Sequence, residues 1–213
     1  MKHFNQVNNL LLCLGLLKIS ACASITAMQG AETLKAKETK TVVGLGYSKD
    51  LQLNKGDGET TAIPSVDVLV RYGLTDQDEV AARASNYGSY LELDYKRAII
   101  NSSKFLLSVG AGIGGTKFSV GSGENLASTT ILDFYLPVYV DFPMGEKLSL
   151  LASPKLIQRF VITSEDSSAN TQAALSGGVK FGKDSGVILE AAYAKELSDS
   201  KSDYFQVMAS IFW

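Results

Sequence analysis

From residue 41 onward apolar and polar residues alternate along the chain, the two-residue period of a strand whose faces meet different surroundings. The clearest case is TTILDFYLPVYVDF (129–142). Leu132, Phe134, Leu136, Val138, Val140 and Phe142 share one face, and Asp133, Tyr135, Pro137, Tyr139 and Asp141 share the other. A helix would spread those carboxylates around its circumference; a strand keeps them together.

The same alternation predicts strands over 41–49, 61–72, 78–87, 89–99, 104–119, 129–142, 147–163, 172–182, 187–195 and 204–213. Short turns near 74, 101, 144 and 184 alternate with mostly longer polar loops near 55, 123, 167 and 199, so one end of the object is tight and the other is not. Pro137 and Pro154 fall inside predicted strands, where a missing N–H predicts a bulge or a bend. Strands of about ten residues match a tilted crossing of a membrane, and closure removes the unpaired edges of an open sheet. The expected fold is therefore all-β: a single antiparallel up-and-down transmembrane β-barrel of about ten strands over 41–213.

Charge placement sharpens this picture. With the larger apolar face turned outward, Asp67, Arg71, Glu79, Arg83, Glu92, Asp94, Lys96, Asp133, Asp141, Lys155, Arg159, Lys180 and Glu190 all point into the lumen. Both signs occur, and opposite charges can pair there. A base facing lipid at mid-depth costs about 2–4 kcal/mol, so the segregation is what a spanning barrel needs.

The first residues read as an export leader. Lys2 and His3 precede the apolar run LLLCLGLL, and small residues follow around Ser20-Ala21-Cys22-Ala23. Ile19-Ser20-Ala21-Cys22 looks like a bacterial lipobox, which implies a signal peptide over 1–21 and lipidation of Cys22. Ala21-Cys22-Ala23 also satisfies the small-x-small rule of ordinary signal cleavage. Residues 22–40, with the Lys/Glu-rich end ETLKAKETK, read as a polar tether between leader and barrel. Removing Lys2 and Lys18 with the leader leaves 18 basic against 22 acidic residues. This mildly acidic balance, without a basic cluster, gives no reason to expect a nucleic-acid partner.

Candidate chemistry is sparse. His3, the sole histidine, leaves with the leader, so no Ser-His-Asp or Cys-His arrangement is possible, and no enzyme activity is expected. No metal site and no cofactor are expected either. The loop acids Asp57, Glu59, Glu165 and Asp166 match no known calcium-loop spacing. GAGIGG (110–115) fits the dinucleotide-binding pattern, yet no helix follows to hold a pyrophosphate. The better reading places Gly110, Gly112 and Gly114 on the inward face of one strand, leaving room for bulky lumen residues opposite.

The chain ends in YFQVMASIFW, with Phe205, Val207, Ala209, Ile211 and Trp213 on one face. This resembles the C-terminal signature of bacterial outer-membrane barrels, although Ala209 is smaller than usual and Ile211 is not aromatic. The segment RYGLTDQDEVAARAS (71–85) is similar to the hairpins of small members of that class. The resemblance implies an assembly-signal role for Phe205, Val207, Ile211 and Trp213, read by the barrel assembly machinery. It also implies residence in the outer-membrane lipid bilayer, with a periplasmic N-terminus that the lipid on Cys22 would anchor. The function expected is that of a structural or surface-exposed envelope protein with a salt-bridged lumen. A narrow solute or ion pore, and a lipid-tethered periplasmic barrel binding an apolar ligand, are the alternatives.

Overall fold

A computed structural model describes residues 25–50, 63–86, 90–120, 127–163, 166–197 and 203–213. The leader, Cys22, and the loop acids Asp57, Glu59 and Glu165 lie outside them. Ten antiparallel strands follow one another around a closed barrel. They are β1 (Thr39–Asp50), β2 (Ile63–Gly73), β3 (Asp78–Ser85), β4 (Tyr90–Asn101), β5 (Leu106–Val120), β6 (Ala127–Pro143), β7 (Leu148–Thr163), β8 (Ser167–Gly182), β9 (Gly186–Glu196) and β10 (Asp203–Phe212). Each strand pairs with its sequence neighbours, and β10 pairs with β1, Val42 opposite Phe212 and Asp50 opposite Tyr204. The last residue takes part in closure: Trp213 donates its N–H to the Thr41 carbonyl at 3.1 Å, and Thr41 returns one to Trp213 at 3.0 Å.

Burial follows the sequence period. Along β9 and β10 exposed and buried residues alternate without a break. The outward face carries Leu45, Val68, Val70, Leu91, Leu93, Leu136, Leu156, Leu175, Leu189 and Ile211, all substantially exposed. Exposed aromatics mark both ends of this apolar belt, Tyr72, Phe142, Phe181 and Trp213 at the turn end and Tyr47, Phe160, Tyr193 and Phe205 at the loop end. β6, β7 and β8, at 17, 16 and 16 residues, are longer than a membrane crossing requires. β8 consequently begins five residues before the predicted Gln172, because Ser167–Thr171 continue the pairing with β7.

The two prolines are accommodated differently from expectation. Beside Pro137 the β5–β6 ladder lapses between Val109–Val138 and Gly112–Tyr135, then resumes in the same register. Pro154 sits opposite Leu175 in an unbroken β7–β8 register, while on its other side the β6–β7 ladder lapses between Pro137–Lys155 and Val140–Ala152 and resumes in the same register. Neither inserts a residue. The register shift lies in β4, where Ala98 pairs with Ser108 and Ile100 with Leu107, leaving Ile99 as the extra residue.

Candidate functional site

The barrel interior is where the charged residues meet. Asp67, Arg71, Glu79, Arg83, Glu92, Asp94, Lys96, Asp133, Asp141, Lys155, Arg159 and Glu190 are all buried, and Lys180 is half-buried near the turn end. Strand register decides which of them pair. Glu79 lies opposite Lys96, and Asp133 opposite Arg159. The Lys96 ammonium stands 3.1 Å from the Glu79 carboxylate, which also takes Arg71 at 2.7 Å. Arg159 binds Asp133 at 2.7 Å, and the Tyr90 hydroxyl donates to the same carboxylate at 2.8 Å. Arg83 pairs with Asp67 across the β2–β3 hairpin. Lys155 stands 4.9 Å from the centre of the Tyr135 ring and Lys96 5.3 Å from that of Tyr139, cation–π placements on two inward tyrosines.

The stretch expected as part of a tether does something else. Residues 25–34 run inside the barrel, from the turn end, where exposed residues 35–38 follow and Lys37 donates its N–H to the Gly73 carbonyl at 2.7 Å, to Ile25, packed with Ala192, Ala194 and Tyr204 towards the loop end. The polar-tether reading of 22–40 is therefore corrected over 25–34, and β1 begins at Thr39. The physical reason is visible in composition: ITAMQGA (25–31) carries no charge and only small or apolar bulk apart from Gln29, so it can enter a confined space.

Lumen charges satisfy this segment's main chain. Glu190 accepts the N–H of Ala27 at 3.0 Å and of Met28 at 2.7 Å, two consecutive donors on one carboxylate, and Met28 itself has a left-handed φ of 56°. Asp141 accepts from Ala31 at 2.9 Å, Glu79 from Leu34 at 3.0 Å, and the Gln206 amide oxygen from Ile25 at 2.9 Å. Cations take the carbonyls. Arg83 donates to Thr26 at 2.7 Å, Arg71 to Glu32 at 2.7 Å, and Lys96 to Gly30 and Glu32, both at 3.1 Å. At the turn end Lys180 binds the Glu32 carboxylate at 2.7 Å. Partial burial would raise the Glu32 carboxyl, but Lys180 beside it, with Lys40 and Arg71 further off, holds it below its ordinary range.

Side chains add selectivity to this main-chain reading. Met28, fully buried, fills an apolar pocket of Val42, Leu69, Ala81, Leu151, Ile188, Met208 and Phe212 in an otherwise charged lumen. Gln29 donates to Asp94 at 2.9 Å and to the Tyr139 hydroxyl at 3.0 Å, and its oxygen accepts from Lys96 at 3.0 Å. A Cβ on Gly30 would collide with the Asp141 carboxylate, so a larger residue there must displace the group that accepts the Ala31 N–H. Within the wall, a Cβ on Gly112 would enter the Tyr135 ring and one on Gly114 the Tyr90 ring. These glycines of GAGIGG make room for lumen tyrosines.

Sequence reasoning missed the lumen segment and the wall residues that serve it, Ser108, Gln206 and Met208 among them. The absence of charge between Ile25 and Ala31 was the available signal. The lumen carboxylates are occupied by donors: Glu79 serves two cations and one N–H, Asp133 one guanidinium and one phenol. Among the described residues no group of three or more His, Cys, Asp or Glu is placed to hold a metal ion. A surface depression of about 620 Å³ lies on the outer wall where Ala82 and Ala84 leave a dip between Val68, Leu91 and Ile113. Phe205, Val207, Ile211 and Trp213 all point outward from β10.

The chain shares the barrel fold of an outer-membrane protease. Aligned with the outer membrane protease OmpT from Escherichia coli, it covers 85% of this chain and 98% of that one, with a TM-score of 0.54 at 12% identity. Weaker likenesses reach Ail, the attachment invasion locus protein of Yersinia pestis, at 13% identity, 84% and 99% coverage and a TM-score of 0.32. They also reach the N-terminal β-barrel domain of Pseudomonas aeruginosa OprF, at 10% identity, 84% and 100% coverage and a TM-score of 0.38. No model of a known protein family matches the chain. No curated protein sequence matches it.

Proposed function

We propose that the protein is a bacterial outer-membrane barrel whose role is structural, a closed, non-catalytic wall element rather than an open pore. The observation that carries this reading is the lumen occupied by the chain's own residues 25–34, their main-chain groups taken up by wall charges. A continuous apolar belt outside and paired charges inside support membrane residence. Export would follow cleavage of the leader 1–21, and acylation of Cys22, the finer reading, would hold the chain with its internal segment unseated. The outward aromatic end of β10 would serve as the signal read by the assembly machinery. The C-terminal end of β10 and the start of β1 share the turn end, which this reading places in the periplasm.

Two measurements test it. The purified protein should migrate differently on an SDS gel before and after boiling, because every strand edge is paired, and it should show no steady conductance in a planar bilayer. Steady ion passage through the unaltered protein would replace this reading with the pore. Recovery in a soluble fraction, without a heat-dependent shift, would replace it with a periplasmic ligand-binding barrel.

A further inference from the structure

We propose that the lumen is a polypeptide-binding site whose ligand is a segment carrying an apolar residue, a side-chain amide, glycine and a small residue in succession. Met28-Gln29-Gly30-Ala31 is the occupant seen here. The inference rests on the closed-barrel reading and adds what the interior recognises.

Three observations carry it. First, the segment is bound rather than built in. From Ile25 to Leu34 its main chain bonds wall side chains and joins no strand ladder, so its departure would break none of the barrel's backbone pairing. Backbone pairing to the wall appears only at the mouth, between Lys37, Glu38 and Gly73. Second, the wall reads a backbone. Carboxylates at Glu190, Asp141 and Glu79 meet N–H groups, while Arg83, Arg71, Lys96 and the Ser108 hydroxyl meet carbonyls, a double set that binds main chain whatever the side chains. Third, three positions discriminate. Met28 lies in a buried apolar cluster, the Gln29 amide is held by Asp94, Tyr139 and Lys96, and the Asp141 carboxylate stands where a Cβ at position 30 would lie.

A site with this chemistry accepts such a segment from its own chain or from another. Covalent attachment gives the resident segment a high effective concentration, so it holds the site unless its fit is spoiled. The binding pocket would then be open to a polypeptide supplied in trans.

The test uses the full chain. Met28→Asp places a charge in the apolar pocket and alters no strand residue, so the barrel should keep its heat-dependent gel shift while the segment leaves and conductance appears. A synthetic peptide of residues 25–38, ITAMQGAETLKAKE, added to the Met28→Asp channel should close it. The same peptide with leucine in place of glycine should bind at least about tenfold more weakly, the scale of one overpacked contact. Closure by the first peptide and not the second supports the inference. Failure of both, in a channel that Met28→Asp has opened, overturns it and leaves the closed-barrel reading intact. Conductance of the unaltered protein would instead sink the closed-barrel reading itself. If Met28→Asp does not fold, the unaltered chain is refolded with excess labelled peptide. Label that travels with the cold, folded band and is lost on boiling supports the site, and label absent from that band overturns it.

Discussion

Glu190 and Arg159 show how much rests on single lumen side chains. Glu190 holds two adjacent N–H groups of the internal segment, and hydrogen bonds to a charged acceptor are each worth about 1.5–3 kcal/mol. Glu190→Ala should therefore destabilise the seated segment by at least about 1.5–3 kcal/mol, seen as a lower denaturant midpoint of the cold-gel shift and faster proteolysis near Met28. Arg159 is buried against Asp133, and removing one partner of such a pair costs about 3–5 kcal/mol because the other charge is stranded. Arg159→Met should be destabilising on that scale. Adding Asp133→Leu should recover much of the loss, as urea titrations of the single and double variants would show. Gly112→Ala should also destabilise, since its Cβ enters the Tyr135 ring, and Tyr135→Leu should relieve it.

Strands carry the next level of determination. A one-residue slip of β6 would move Asp133 and Asp141 to the outer face and Leu136 and Val138 into the lumen, so the two-faced pattern pins the register. A spin label at position 138 should report lipid-like oxygen access, and one at position 133 should not. The reverse result would invert the barrel's inside and outside. β10 has a double duty, as it closes the barrel against β1 and ends on the outward Trp213. If that end is an assembly signal, Trp213→Ala should reduce the heat-shifted form in cells while leaving the yield of refolding into detergent nearly unchanged.

At the scale of the whole molecule, the segment 25–34 turns a ring of charges into a filled interior. Two charges facing an empty water column would be screened and weakly coupled, whereas here they are desolvated against a peptide whose dipoles they match. Acylation of Cys22 competes with this arrangement. Three residues beyond Ile25 span at most about 11 Å, and Ile25 already sits in the loop-ward half of the lumen. Palmitate labelling with the anchor in the periplasmic leaflet should accordingly go with loss of the seated segment, read as protease sensitivity at Met28. Labelling with full protection would contradict the competition.

Ten alternating segments, their turn and loop rhythm, and the inward address of the charged residues were legible in the chain because strand periodicity is a local property: each residue's face follows from its neighbour's. The terminal aromatic row of β10 was legible for the same reason. Which charges pair was not, because Glu79 meets Lys96 and Asp133 meets Arg159 through register between strands, and register is settled by closure of the entire ring. Nor was the fate of residues 25–34. A short uncharged stretch has the same composition whether it hangs in water or threads a lumen, and its place is decided by a site drawn from strands far apart in the chain, Glu190 of β9 binding Ala27 and Met28, Asp94 of β4 binding Gln29 and Asp141 of β6 binding Ala31.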